Sequence, residues 1–136
     1  MLNLSEDNLK EDTVIKITAL MIHAAKIDDN YTDKEKLIIK NFIKSIDNKF
    51  DQEKILDKAE IDEKNSNQIL KYTQEVKKNS LDSKKIIIKT LWKIILSDSK
   101  SDVYESNLMR RLAGLLYVPD KLCGEIKLEV LENKKI

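Results

Sequence analysis

The chain has 136 residues, 41% hydrophobic and 36% charged, which fits one domain with a real core and a heavily charged surface. Its 25 basic and 24 acidic residues nearly cancel, so the net charge gives no general electrostatic reason to expect binding to nucleic acid or to an anionic membrane. With only two glycines and one proline, long helices are easier to build than many short strands.

Helical periodicity runs along the chain. Val14, Ile17, Met21 and Ala24 recur at spacings of three and four, which predicts a first long helix from about residue 6 to 27. Six further helices are predicted by the same spacing, centred in chain order on Phe42, Leu56, Tyr72, Leu91, Leu112 and Ile126. Residues 57–66 are charged and poor in apolar side chains, and they are expected to form a loose connection. The sequence therefore predicts an all-α, single-domain bundle of about seven helices spanning residues 1–136.

A short acidic pattern occurs twice, 70 positions apart. In the first copy Asp28 ends an apolar stretch and Glu35 follows seven residues later; Asp98 and Glu105 repeat this arrangement. Each copy lies between two predicted helices, so helices one and two form one hairpin and helices five and six form another. Two related hairpins can bury their apolar faces against each other, which predicts a pseudo-two-fold bundle.

Both hairpin tips are rich in carboxylates. Residues 28–35 contain four acidic residues and one lysine, and residues 98–105 contain three acidic residues and one lysine. Carboxylates brought together in this way suit a hard cation such as Ca²⁺, Mg²⁺ or Mn²⁺. The candidate ligands of this divalent-metal site are Asp28, Asp29, Glu35, Asp98, Asp102 and Glu105.

The same acids also have a structural interpretation as helix caps. Thr32 and Glu35 have the spacing of a capping box, and Asp102 can serve as the N-cap of the sixth helix. Asp28 and Asp98 differ, because each ends a helix, where the helix dipole disfavours an anion. They can instead cap the following helix across the hairpin, so capping and cation binding both remain open.

The residues around these tips resemble a known family. The segments are 24–28 (Ala-Ala-Lys-Ile-Asp), 35–38 (Glu-Lys-Leu-Ile), 96–98 (Leu-Ser-Asp) and 112–119 (Leu-Ala-Gly-Leu-Leu-Tyr-Val-Pro). Together they resemble the TerB-like (tellurite resistance protein B) family over a core of about residues 12–130. The resemblance implies a bundle of about seven helices with pseudo-two-fold symmetry.

The resemblance also implies a function. The acidic hairpin residues of the family are thought to form a divalent-metal site, which by position would use Asp28, Glu35, Asp98 and Glu105. The glycine usual in the family motif is replaced here by Asp29 and Ser99. The family is linked to tellurite resistance and general stress responses, which implies a signalling or interaction module rather than an enzyme.

Other chemically distinctive residues receive structural interpretations. His23 has no second His or Cys partner, so a structural or surface role is expected. Cys123 is expected to be a small buried residue, and Trp92 to lie in the core. Lysine pairs at 77–78 and 84–85 lack interleaved aromatic residues and are interpreted as a solvated face rather than a nucleic-acid site.

Three functional hypotheses follow. The leading one is a cytoplasmic module, not an enzyme, that binds a divalent cation or a basic partner surface through its acidic tips. A protein partner is expected and a homodimer is compatible with the sequence, whereas nucleic-acid binding and membrane insertion are not expected. The second is a purely structural or scaffolding protein with the acids as caps. A metal-dependent hydrolase is the least favoured, because no general base or phosphate-binding loop accompanies the acids.

Overall fold

The chain folds into helices throughout the part that the structure describes. The computed structural model describes residues 10–27, 31–46, 49–66, 69–98 and 103–134, with the backbone alone at 98, 103–105 and 134. Within these residues there are seven α-helices, one 3₁₀ helix and no strand, which confirms the predicted all-α class. The α-helices are α1 (Glu11–Ala25), α2 (Asp33–Ile46), α3 (Gln52–Lys64), α4 (Leu70–Val76), α5 (Leu81–Ile95), α6 (Val103–Leu115) and α7 (Asp120–Lys134); the 3₁₀ helix is Leu96–Asp98.

Helices α1 and α5 form the centre of the bundle. The predicted apolar face of α1 is buried, as is that of α5. Helix α1 packs against α2, α3, α4 and α5, whereas α5 packs against α1, α2 and α7. Each fully buried Leu or Ile side chain contributes about 1.5–3 kcal/mol through the hydrophobic effect, so these two helices carry much of the stability. Cys123 and Trp92 are buried as predicted, and the Trp92 indole N–H donates to the Cys123 carbonyl at 3.1 Å.

The prediction of a loose connection at residues 57–66 is wrong, because most of this segment belongs to α3. Ile55, Leu56 and Ala59 bury a narrow apolar stripe against the core, and the charged residues lie on the outer side of the same helix. Asp51 begins the helix by accepting hydrogen bonds from the Glu53 and Lys54 amides at 3.1 and 3.2 Å. A short apolar stripe together with a strong N-cap is therefore sufficient to form a helix in this charged segment.

The turn between α6 and α7 contains an unusual backbone conformation. The Val118 amide donates to the Ala113 carbonyl at 2.8 Å, and the Tyr117 amide donates to the Gly114 carbonyl at 3.2 Å. This pattern is a Schellman motif, in which the residue with positive φ is usually glycine. Here that residue is Tyr117, with a φ of 59°. Pro119 follows and precedes α7, as predicted for a helix-opening proline.

The two halves of the chain are packed in partly similar ways. Helix α1 packs most extensively against α3, and α5 packs most extensively against α7; the predicted hairpin partners α1 and α2, and α5 and α6, are also in contact. Helix α4, however, has no counterpart in the second half of the described chain. The pseudo-two-fold relationship therefore stays a prediction. Among the described residues, no helix combines the length and the apolar character needed to cross a bilayer.

Candidate functional site

The six predicted metal ligands are described to different extents. Three lie outside the described residues: Asp28, Asp29 and Asp102. Asp98 is placed by its backbone at the end of the 3₁₀ helix, and Glu105 by its backbone in the first turn of α6. Glu35 alone has a described side chain. Within the described part of the chain, no three His, Cys, Asp or Glu side chains are grouped so that they could hold a metal ion, and the ligand set stays a prediction.

Glu35 forms the capping box that its spacing predicts. Its Oε1 accepts hydrogen bonds from the Thr32 amide at 2.7 Å and from the Thr32 hydroxyl at 3.0 Å. In return, the Glu35 amide donates to the Thr32 Oγ1 at 3.2 Å. The Glu35 side chain is buried, so these bonds lie largely out of solvent. One carboxylate oxygen is thus used to begin α2, as the structural interpretation predicts.

Two glutamates of α3 extend the acidic environment of the first tip. Glu63 Oε1 accepts from Lys26 Nζ at 2.8 Å, and Glu63 Oε2 lies 3.5 Å from Nδ1 of His23. Glu60 Oε2 accepts from the Tyr31 hydroxyl at 2.9 Å. The first tip is therefore fastened to the second half of α3. The expected structural or surface role of His23 agrees with its contact to Glu63.

Tyr31 lies at the centre of this arrangement. Burial raises the pKa of its hydroxyl, the hydrogen bond to Glu60 raises it further, and the nearby charges of Glu60, Glu35 and Glu63 add to the effect. Lys36 Nζ lies 5.0 Å from the centre of the Tyr31 ring and 3.9 Å from Glu60 Oε2. The tip thus combines several carboxylates with a neutral tyrosine and flanking lysines. Glu60 and Glu63 were not predicted from the sequence as part of the site, because they belong to the segment interpreted as a loose connection.

The first hairpin tip contacts the 3₁₀ helix that leads into the second tip. Lys34, in the first turn of α2, donates from Nζ to the backbone carbonyl of Ser97 at 2.8 Å. Ser97 belongs to the 3₁₀ helix that follows α5 and immediately precedes Asp98. A cation at the carboxyl end of a helix is favourable, because the last carbonyl groups carry partial negative charge. The sequence left open whether the tips converge, and this hydrogen bond joins the first tip to Ser97, the residue before Asp98, so convergence of the tips stays a prediction.

A second polar cluster involves the lysines interpreted as a solvated face. The Tyr117 ring lies 5.3 Å from Lys77 Nζ and 5.9 Å from Lys84 Nζ. Lys84 is buried, so the prediction of a solvated face is wrong for this residue. The aromatic partner comes from a turn far along the sequence, which explains why the local pattern concealed it. Cation–π contacts of this kind contribute about 0.5–1 kcal/mol at exposed sites.

Taken together, the described residues define an all-helical module in which Glu35, Glu60 and Glu63 surround the first hairpin tip. The family model for tellurite resistance protein TerB matches residues 14–128, and the chain therefore belongs to the TerB family. No curated protein and no solved structure gives a significant match to the chain.

Proposed function

We propose that this TerB-family chain is a binding module, rather than an enzyme, whose two acidic tips together hold a divalent cation and present a surface to a protein partner. The observation that carries the proposal is the hydrogen bond from Lys34 Nζ to the Ser97 carbonyl. Because Ser97 precedes Asp98, this contact places the start of α2 beside the start of the second tip. In this proposal, carboxylates from both copies of the motif converge beside this contact and share one cation.

The donor chemistry fits a hard cation. The predicted ligands of both tips are all carboxylates, which are the oxygen ligands preferred by Ca²⁺, Mg²⁺ and Mn²⁺. Glu35 is held in place by Thr32, so its carboxylate position is fixed by the start of α2. A bound cation would offset repulsion among the carboxylates. In this proposal Asp28 and Glu35 hold it from the first tip, and Asp98 and Glu105 from the second.

A second candidate function is supported by the capping box. Since Glu35 Oε1 already accepts two hydrogen bonds from Thr32, the acids can act purely as structural caps. The chain would then be a scaffolding module without a metal. This alternative expects the same fold and the same partner surface, but no response to divalent cations.

A thermal melt distinguishes the two functions. Chelator-treated protein would be melted with and without each divalent cation, as wild type and as the Asp28→Asn/Asp98→Asn double variant. Ligand binding to the native state alone stabilises it by about 2.7 kcal/mol at a ligand concentration 100 times Kd, which corresponds to a midpoint rise of roughly 10 °C for a chain of this size. We expect that rise in wild type and its loss in the double variant.

The matched control is Asp57→Asn, which removes an exposed carboxylate from the outer side of α3. This variant should keep the full cation-dependent rise. An unchanged wild-type midpoint with every cation, or an equal rise in the double variant, would favour the scaffolding function. We propose tellurite resistance as the physiological setting, because the family name points to it. A wider stress response and a cytoplasmic location are proposed with it, as the family resemblance and the composition led us to expect. Tellurite survival of cells carrying wild type or the double variant tests this setting.

A further inference from the structure

A groove runs between α2, α5 and α7 on the side of the bundle next to the tips. It consists of two adjoining depressions with cavity volumes of about 380 and 250 Å³. Ile38 and Lys93 line both depressions, so the two are continuous. The α2 residues that line the groove run from Lys34 to Ser45, and at 1.5 Å per residue they extend over about 17 Å. This length accommodates about three turns of another helix.

The floor of the groove is apolar. Phe42 and Ile86 line the larger depression beside Ile38, and Val130 lines the smaller one. Phe42 and Val130 belong to the buried core, whereas Ile38 and Ile86 are partly exposed and pack against it. The core therefore reaches the surface along this groove. Leu37, which is 58% exposed, adds apolar surface on α2 beside the residues that line the groove.

The rim of the groove is basic. Lys34, Lys89 and Lys93 line it, whereas no Asp or Glu is among the described residues that line either depression. Lys89 lies 3.5 Å from Glu129, which is largely exposed, and Lys34 donates to the Ser97 carbonyl. Lys93 has no carboxylate within ion-pair distance in the part of the chain that the structure describes. The groove thus has an excess of positive charge in a chain whose total charge is nearly balanced.

We infer that this groove is a docking surface for an acidic, amphipathic helix of a partner protein. An amphipathic helix places apolar side chains at positions i, i+3 or i+4, and i+7, which suits two adjoining apolar depressions between helices. Asp and Glu residues on both sides of that apolar stripe would pair with the lysines of the rim, and such charge complementarity confers specificity. The inference rests on the proposed interaction role, but it does not require the cation at the tips.

The test begins with a display library of random 16-residue peptides selected on the wild-type chain in the presence of a chelator. We expect enriched peptides with helical apolar spacing and flanking Asp or Glu. Their affinity for Lys93→Glu should fall at least about tenfold, because reversing a rim charge puts like charges together. The matched control, Lys121→Glu, changes an exposed lysine at the other end of α7 and should bind as wild type does.

A charge-swap experiment completes the test. Peptides in which Lys replaces Asp and Glu should prefer Lys93→Glu over wild type, and a thermal melt of this variant should match that of wild type. Failure to enrich any peptide, or equal binding to both chains, would overturn the inference. Sedimentation showing a wild-type dimer that Lys93→Glu dissociates would overturn it too, by making a second copy the occupant. If peptides bind in the presence of chelator and no cation raises the melting temperature, the docking surface is supported and the proposed metal site is rejected.

Discussion

Helix α2 contributes to two regions that differ in whether their charged side chains have partners within the chain. At the first hairpin tip, Glu35, Glu60 and Glu63 each accept a hydrogen bond from a described donor. In the groove, by contrast, Lys93 has no carboxylate partner among the described residues, and the polar side chains around it include no acid. Charges with internal partners fix the local structure, whereas charges without them are available to an external ligand. Helix α2 thus begins with a capping box that stabilises it, and further along it lines the groove that we propose as a docking surface.

The largest expected effect comes from the floor of the groove. Phe42→Ala should lower the free energy of unfolding by about 3–5 kcal/mol, because Phe42 is only 4% exposed and its removal leaves a cavity. Leu37→Ala, on the same helix but 58% exposed, should change it by less than about 1 kcal/mol. Urea unfolding of both variants measures this. A loss of unfolding free energy for Phe42→Ala as small as that for Leu37→Ala would mean that the floor of the groove is not part of the core.

The capping box at the tip should have the next largest effect. Thr32→Ala removes both the hydroxyl that accepts from the Glu35 amide and the donor to Glu35 Oε1, at a cost of about 0.5–2 kcal/mol. Thr32→Ser keeps the hydroxyl and should recover most of the loss. The same urea measurements apply. If the serine variant were as unstable as the alanine variant, the methyl group rather than the cap would be responsible.

Tyr31 provides a test of the tip through pH. Tyr31→Phe removes the hydrogen bond to Glu60 and should cost about 0.5–1.5 kcal/mol at neutral pH. Because folding raises the pKa of Tyr31, wild type gains stability from the neutral hydroxyl below pH 10 and loses it as the pH rises above that value. The difference between the two proteins should therefore narrow between pH 9 and 11, by at most about 1.4 kcal/mol. Parallel stability curves would contradict the role assigned to this hydroxyl.

The smallest expected effect on stability is at the rim of the groove. Lys93→Glu should change the free energy of unfolding by no more than about 0.5 kcal/mol, because the side chain is exposed and has no described carboxylate partner. Chemical unfolding at low salt is the most sensitive measurement, since screening is then weakest. A loss comparable to that of Thr32→Ala would show that the lysine belongs to a stabilising network, and the contrast between tip and groove would fail.

Much of the fold was predictable because it depends on local periodicity. The apolar faces of α1 and α5 and the capping box at Thr32 are properties of short segments, and the structure confirms them. Helix α3 was missed in part, because its apolar stripe is narrow and its outer side highly charged. The position of Tyr117 at a positive φ was also not predictable, since that position normally selects glycine.

The candidate site was less predictable because its contacts connect distant parts of the chain. The hydrogen bond between Lys34 and Ser97 joins residues 63 positions apart, and the Tyr31–Glu60 bond joins residues 29 positions apart. Both hydrogen bonds depend on how the helices cross in the folded chain. That crossing cannot be predicted from the spacing of residues within one segment. The groove has the same origin, since its floor combines residues of α2, α5 and α7. Sequence indicated which residues carry charge, and packing determined which of them meet.

Lys34 is part of both the first tip and the groove, and its position in both has a thermodynamic consequence. Its ammonium group contacts the Ser97 carbonyl beside the second tip and also lines the smaller depression. An anion in the groove and a cation at the tips would act on this one charge with opposite sign. Coupling between two binding sites is reciprocal, so the factor by which either ligand changes the affinity of the other must be the same in both directions. If both proposed ligands bind, this one lysine would make the two equilibria dependent on each other without a hinge or a domain movement.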